Sequence, residues 1–200
     1  MDTAGQVESA IQELLREFEN RPIDFNVEVS VQSRLSGLLR DSLDPVYASV
    51  GETRNEAPKA LRSYVQKALD VEEVERVREE INTEIIDGNT DLGVLGEEDI
   101  TVEMTGSKRF KAQDLNAAIE IKFIKNATDY GDYRLISGDD HRIEKDLRRL
   151  TRFPDHVSKH FILFANCDLF CKTTDEDYSE EMSWLQAEYS DVSISYRHIQ

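Results

Sequence analysis

The most informative alternation of apolar and polar positions along the chain lies in the run AAIEIKFIKN. Side chains of a β-strand point alternately to the two faces of a sheet, so Ile119, Ile121 and Phe123 share one face. Glu120 and Lys122 then share the other face, inside a segment that is otherwise apolar enough to be buried. The pattern therefore predicts a core strand that carries an acid and a base side by side.

Apolar residues at helical spacing predict two helices near the start of the chain, over residues 3–19 and within residues 26–43. The charged segment 51–58 is expected to be an exposed loop, and residues 57–77 are expected to be helical in part. Short runs of β-like composition then predict a meander of three or four strands. These runs are residues 76–86, 91–95, 99–104 and 117–125.

Helices and strands alternate in the second half of the chain. The predicted elements are a helix over 139–153, a strand buried on both faces over 160–170, a helix over 177–189 and a strand over 191–199. This order predicts an α/β fold, in which a mixed sheet is flanked by helices on both faces. We expect one domain over residues 1–200, made of an N-terminal helical extension (1–25), a core (26–170) and a C-terminal helix and strand (171–200).

The charge balance is strongly acidic, with 41 acidic against 24 basic residues and a net charge of −17. A single acidic block would indicate a tail or a basic partner, but here the acids are spread along the whole chain, which indicates a halophilic source. The sequence contains no apolar run of the roughly 20 residues that a membrane helix needs, and its acidic start is unlike a signal peptide. We therefore expect a cytoplasmic protein.

A second acid comes near the charged pair if neighbouring strands pair. Asp91 opens the run DLGVL, in the strand expected beside the one that carries Glu120 and Lys122. Two carboxylates that converge suit a hard cation such as Mg²⁺, which prefers oxygen ligands. The lysine ammonium could orient a water molecule there or balance the charge on a crowded phosphorus centre.

An acid-led strand followed by Glu-x-Lys in a core strand resembles the PD-(D/E)xK nuclease superfamily, through D-L-G-V-L and E-I-K. The resemblance covers residues 28–166 and implies a restriction-endonuclease-like fold, with a three-strand antiparallel meander, a helix and a strand. It implies metal-dependent hydrolysis of phosphodiester bonds, in DNA rather than RNA, with Mg²⁺ as the cofactor and Mn²⁺ as a substitute. Asp91, Glu120 and the carbonyl of Ile121 would be the metal ligands, and Lys122 would position the attacking water.

Several assignments stay open at this point. Thr90 stands where the family has proline, and Asp99 in DITVEM would replace Asp91 if the register shifted. Glu28 stands where an early-helix glutamate of the family joins the metal site, or it is a solvated residue favoured by the helix dipole. Glu79 and Glu80 are competing acids on the preceding strand.

Basic residues cluster in two places in this acidic chain. One cluster could grip phosphates, or it could be a solvated helix face paired with neighbouring acids. It consists of Arg142, Lys145, Arg148, Arg149 and Arg152. The other could follow a nucleic-acid backbone, or it could be an exposed turn, and it consists of Ser107, Lys108, Arg109 and Lys111.

Two functions therefore compete. The first is a metal-dependent deoxyribonuclease, for which a homodimer is plausible because many enzymes that cut both strands work as symmetric pairs. The second is a non-catalytic restriction-endonuclease-like module that serves protein binding or assembly, which the net charge of −17 favours. A nuclease acting on RNA is a third alternative that the sequence does not separate from the first.

Overall fold

The structure is a computed structural model, and it describes the greater part of the chain. The described residues are 2–25, 27–53, 72–86, 88–97, 100–104, 108–125, 142–171 and 178–199. The α-helices within them are α1 (Thr3–Asn20), α2 (Glu28–Ser42), α3 (Arg142–Leu150) and α4 (Glu181–Glu188). The strands are β1 (Val46–Thr53), β2 (Glu72–Val74), β3 (Val77–Asn82), β4 (Asn89–Leu95), β5 (Ile100–Met104), β6 (Lys108–Phe110), β7 (Leu115–Ile124), β8 (Ser158–Ala165) and β9 (Ser193–His198).

A five-stranded mixed sheet of order β3-β4-β7-β8-β9 organises the fold. The pairs β3–β4 and β4–β7 are antiparallel, whereas β7–β8 and β8–β9 are parallel. Parallel neighbours need a long crossover connection, and α3 and α4 lie in the two connections concerned. The prediction of an α/β fold with a mixed sheet is confirmed.

Helices cover both faces of this sheet. Val7, Leu14 and Leu35 of α1 and α2 belong to one hydrophobic cluster with the sheet residues Ile119 and Ile121. A second cluster on the opposite face joins α3 and α4 to the sheet. Its members include Ile143, Leu147, Leu150, Leu185, Ala118, Phe161 and Leu163. The strand β8 lies between the clusters and is almost wholly buried, as its unbroken apolar run predicted.

The first helix is an integral part of the core. Asp2 caps α1, because its carboxylate accepts the N–H of Gly5 at 2.9 Å. At the other end of the helix, the ring of Phe18 packs against Phe164 of β8 with centroids 4.5 Å apart. Aromatic contacts of this kind add to the burial that holds a helix on a sheet. The division of the chain into 1–25, 26–170 and 171–200 stays a prediction.

A second sheet, of order β2-β1-β5-β6, differs from the expectation. The run DITVEM was predicted to lie in the meander, but β5 pairs in parallel with β1 and antiparallel with β6. Instead, β4 pairs directly with β7, and β5 lies outside that sheet. The prediction failed because alternating apolar residues indicate a strand but do not specify which strand it pairs with.

Two further expectations near this sheet are corrected in part. Residues 51–53 of the expected loop 51–58 continue β1, and residues 72–74 of the expected helical region 57–77 form β2. Residues 54–71 lie outside the described part of the chain. Among the helices that the structure describes, none has the length and apolar composition of a membrane span.

Gly93 lies in β4, two residues from Asp91, at a point where the packing leaves no room for a side chain. A Cβ there would stand 2.7 Å from two carbons of Ile81 and 2.9 Å from Leu115. We expect Gly93→Ala to lower the free energy of unfolding by about 1–3 kcal/mol, the usual cost of overpacking. Gly37 in α2 has open space around it, so Gly37→Ala should raise stability by about 0.5–1 kcal/mol.

Urea unfolding followed by circular dichroism measures both free energies. Equal effects of the two substitutions would contradict the close approach of β3, β4 and β7 at Gly93.

Candidate functional site

The site begins where β4 and β7 separate. Their ladder extends to the pair Leu92–Ile119. Asp91 comes next in β4, and beyond it Thr90 and Asn89 pair with β3. The N–H of Ile121 in β7 instead donates to Oδ2 of Asp91 at 2.7 Å. A carboxylate thus takes the place of a strand carbonyl, because a buried N–H needs an acceptor.

Glu28 acts in the same way two residues further along β7. It is the first residue of α2, and it accepts the N–H of Phe123. Gln32, one turn later in α2, donates from Nε2 to the carbonyl of Asp91 at 2.9 Å. Burial raises the pKa of Glu28 above its ordinary value, although Lys122 opposes this. Glu28 therefore lies beside Lys122 and Asp91, and its part in a metal site stays a prediction.

Asp91 and Glu120 lie next to each other where β4 and β7 separate, a place that we call the fork. Continuing the register of β4 and β7 by one residue sets them opposite each other, on the same face of the sheet. Glu120 is 1% exposed. Burial, together with the neighbouring carboxylate of Asp91, raises its pKa to about 8, although Arg149 opposes the rise. Burial also raises the pKa of Asp91, against the attraction of Lys122 and hydrogen bonds from Ile121 and Glu120.

Lys122 lies among carboxylates. Its Nζ is 3.4 Å from Asp146, 3.6 Å from Glu28 and 4.0 Å from Asp91, each measured to a carboxylate oxygen. It also donates to the carbonyl of Ile121 at 3.1 Å. Burial alone would lower the pKa of Lys122, but the surrounding acids, Asp146 foremost, raise it above the ordinary value. The ammonium is therefore held charged.

Arg149 of α3 completes the cluster. Its Nη2 contacts Glu120 Oε1 and donates to the carbonyl of Asn89 at 2.9 Å, and its Nη1 is 3.5 Å from Asp146 Oδ1. The pKa of Arg149 is raised, because Glu120 and Asp146 outweigh the opposing effect of burial. Six ionisable side chains thus converge on the fork: Glu28, Asp91, Glu120, Lys122, Asp146 and Arg149.

Asp146 and Arg149 were not recognised as site residues from the sequence. The sequence leaves Arg149 either in a cluster that grips phosphates or on a solvated helix face paired with acids such as Asp146, but Asp146 is buried and Arg149 contacts Glu120. The available signal was the helical spacing, because Asp146 is three residues from the core residue Ile143 and adjoins Leu147. Helix positions on the border of an apolar stripe are half in the core, and charges there need partners.

The remaining candidates lie away from this cluster or outside the described residues. Glu79 accepts from Ser36 and pairs with Arg40, whereas Glu80 lies near enough to Asp91 to raise its pKa. Arg148 pairs with Glu144 at the surface, whereas Arg149 contacts the buried Glu120. The basic residues of α3 therefore do not share one continuous surface. Lys145 and Arg152 are exposed, and Lys111 is half-buried. Asp99, Ser107 and the side chains of Lys108, Arg109 and Arg142 lie outside what the structure describes.

The cluster has more acids than bases. Four carboxylates face two cations, so full ionisation would leave an excess of two negative charges in a mostly buried space. Such an excess is costly unless a proton or a cation neutralises it. A proton on Glu120 can neutralise part of this excess, because the raised pKa means that Glu120 keeps its proton at neutral pH.

The residues also suit a divalent cation by their chemistry. The two carboxylates at the fork and the carbonyl of Ile121 are hard oxygen donors, which Mg²⁺ prefers. Among the described side chains no three of His, Cys, Asp or Glu are placed to hold an ion together. The carboxylates instead contact Lys122 and Arg149, whose charged groups occupy the positions next to the oxygens.

The raised pKa of Glu120 makes the stability of the protein depend on pH. The unfolded chain releases this proton near the ordinary pKa of 4.5, whereas the folded protein retains it to about 8. Because the folded state binds the extra proton between these values, the free energy of unfolding should fall as the pH rises from about 4.5 to 8. The fall corresponds to about 1.4 kcal/mol for each tenfold difference in proton affinity.

Glu120→Gln removes the titrating group and should flatten this part of the pH dependence. Glu79→Gln, which leaves Glu120 in place, should keep the wild-type slope. Urea unfolding at a series of pH values from 4.5 to 8.5 in EDTA measures the slopes. The same slope in Glu120→Gln as in the wild type would show that Glu120 titrates as an ordinary glutamate.

Comparison with other proteins adds no family to this description. Neither protein-family models, nor curated proteins, nor solved structures give a match to the chain. The function is therefore inferred from the residues of the fork and from the elements that carry them.

Proposed function

We propose that the protein is a Mg²⁺-dependent nuclease that hydrolyses phosphodiester bonds of DNA. Asp91 and Glu120 are the proposed metal ligands, with the carbonyl of Ile121, and Glu28 lies beside them. Lys122 is the proposed catalytic residue. The observation that supports this most directly is the convergence of Asp91, Glu120 and Lys122 at the fork between β4 and β7.

The order and pairing of the surrounding elements also support the proposal. From α2 onward the chain makes the antiparallel meander β3-β4-β7, then α3, then β8 parallel to β7. This is the order that the resemblance to the PD-(D/E)xK superfamily implied, with the acid of β4 and Glu-x-Lys of β7 in adjacent strands. The β1-β2-β5-β6 sheet is an addition to that order.

The chain's own residues have separate tasks in this proposal. The N–H of Ile121 donates to Oδ2 of Asp91 and so fixes this carboxylate beside Glu120. Lys122 stays protonated among its acids and can hold a water or a phosphate oxygen by donating a hydrogen bond. A bound Mg²⁺ would supply positive charge that stabilises the negative charge on the phosphate oxygens in the transition state.

The second candidate function is a non-catalytic module for protein binding or assembly. It is favoured by the ion pairs themselves, because Lys122 and Arg149 give each of the four carboxylates a cationic neighbour. In this case the cluster would serve only to hold α2, α3 and the sheet together. The net charge of −17 also disfavours contact with nucleic acid at low salt.

Substitution at the fork tests the proposal. We expect Asp91→Ala, Glu120→Ala and Lys122→Ala each to reduce DNA cleavage by about 100-fold or more, the effect of losing a group that stabilises the transition state. Lys125→Ala removes an exposed lysine at the end of the same strand and should keep wild-type activity. The assay uses plasmid, linear duplex, single-stranded DNA and RNA with Mg²⁺ or Mn²⁺.

The assay is run at low salt and near 1 M salt, where the Debye length of about 3 Å screens the repulsion between an acidic protein and phosphate. Circular dichroism confirms that each variant is folded. If folded Lys122→Ala and Glu120→Ala cleave DNA at the wild-type rate, the assignment is refuted. No cleavage of any substrate by the wild type would favour the non-catalytic module.

A further inference from the structure

Arg149 occupies a carboxylate that the proposed function requires for the metal ion. Its Nη2 is in contact with Oε1 of Glu120. Its other partners are the carbonyl of Asn89 and the carboxylate of Asp146. The Nε of Arg149 is buried and has no hydrogen-bond partner among the described residues, so the guanidinium is held with one donor unsatisfied.

Lys122 has more partners among the carboxylates of the site than Arg149 has. The ammonium contacts three carboxylates and donates to a backbone carbonyl of its own strand. Arg149 instead comes from α3, near the end of that helix, and relies on Glu120 for its shortest contact. Of the two cations, Arg149 is therefore the one that loses most when the charge of Glu120 is engaged elsewhere.

A divalent cation and the guanidinium cannot use Glu120 equally. An ion held between Asp91 and Glu120 would stand close to Nη2 of Arg149, because both would contact the same small carboxyl group. Like charges a few ångströms apart in a partly buried site repel strongly. Coordination by Glu120 also withdraws the charge that attracts the guanidinium.

We propose that Arg149 is an exchangeable counter-ion of this site, displaced from Glu120 when a divalent cation binds. This inference rests on the proposed metal site and names what controls its affinity. The guanidinium stabilises the fork when no ion is present, and it weakens ion binding because it must be removed from Glu120 first. Asp146 then remains as its partner on α3.

Calorimetric titration with Ca²⁺, Mg²⁺ and Mn²⁺ tests the exchange without any need for cleavage. Arg149→Met removes the competing charge, and we expect it to bind the ions at least about tenfold more tightly than the wild type. Arg148→Met is the matched control, because it removes the neighbouring arginine, which pairs with Glu144 at the surface. Its affinity should stay within about twofold of the wild type.

A second measurement on the wild-type protein guards against failure of Arg149→Met to fold. In a ¹⁵N spectrum of the arginine side chains, the Nε–Hε signal of Arg149 is identified by its absence in Arg149→Lys. We expect this signal to move during the Mg²⁺ titration with the same midpoint as the calorimetric binding. A signal that stays in place at saturation would overturn the exchange.

The outcomes separate the inference from the nuclease proposal. Ion binding by the wild type with equal or weaker binding by Arg149→Met defeats the exchange and leaves the metal site intact. Tighter binding by Arg149→Met in a protein that cleaves no nucleic acid supports the exchange and defeats the nuclease. An absence of ion binding in both proteins defeats the two together.

Discussion

The separation of β4 from β7 is the feature on which the rest of the site depends. Beyond the pair Leu92–Ile119 the strands no longer share a ladder, and the N–H groups of Ile121 and Phe123 lack strand partners. Buried N–H groups must be bonded, and here the carboxylates of Asp91 and Glu28 accept them. A requirement of the backbone thus brings acids to one point of the sheet.

Acids gathered in this way create an electrostatic demand. Glu120 is almost wholly buried beside Asp91, and both burial and this neighbour disfavour its charge, so that its pKa is raised. Lys122 and Arg149 meet only part of the demand, since four carboxylates surround them. A proton or a divalent cation can supply the rest, which connects the stability of the fold to the chemistry proposed for the site.

Strand alternation was sufficient to predict that one acid and one lysine lie side by side on the same face of a core strand. Glu120 and Lys122 share a face because they are two residues apart, and the hydrophobic run around them identified β7 as a core strand. The pairing of β5 with β1 was not predictable in the same way, because the two strands are far apart in sequence and alternation does not name a partner.

Asp146 and Arg149 were missed for a related reason. Their charges made α3 resemble a solvated face, but its apolar stripe through Ile143, Leu147 and Leu150 binds it to the sheet and turns Asp146 inward. Whether a charged residue beside such a stripe is buried depends on whether the element packed against the helix offers it a partner of opposite charge. Here Lys122 pairs with Asp146 and Glu120 pairs with Arg149, and these pairs form only when α3 packs on the sheet.

Anomalous diffraction from crystals soaked in Mn²⁺ most directly tests our proposal that the carboxylates at the fork hold a divalent cation. We expect a peak between Asp91 and Glu120, near the carbonyl of Ile121, and no peak in crystals of Glu120→Gln. Wild-type crystals at saturating Mn²⁺ that show no peak there, with Glu120 still bonded to Arg149, would contradict it.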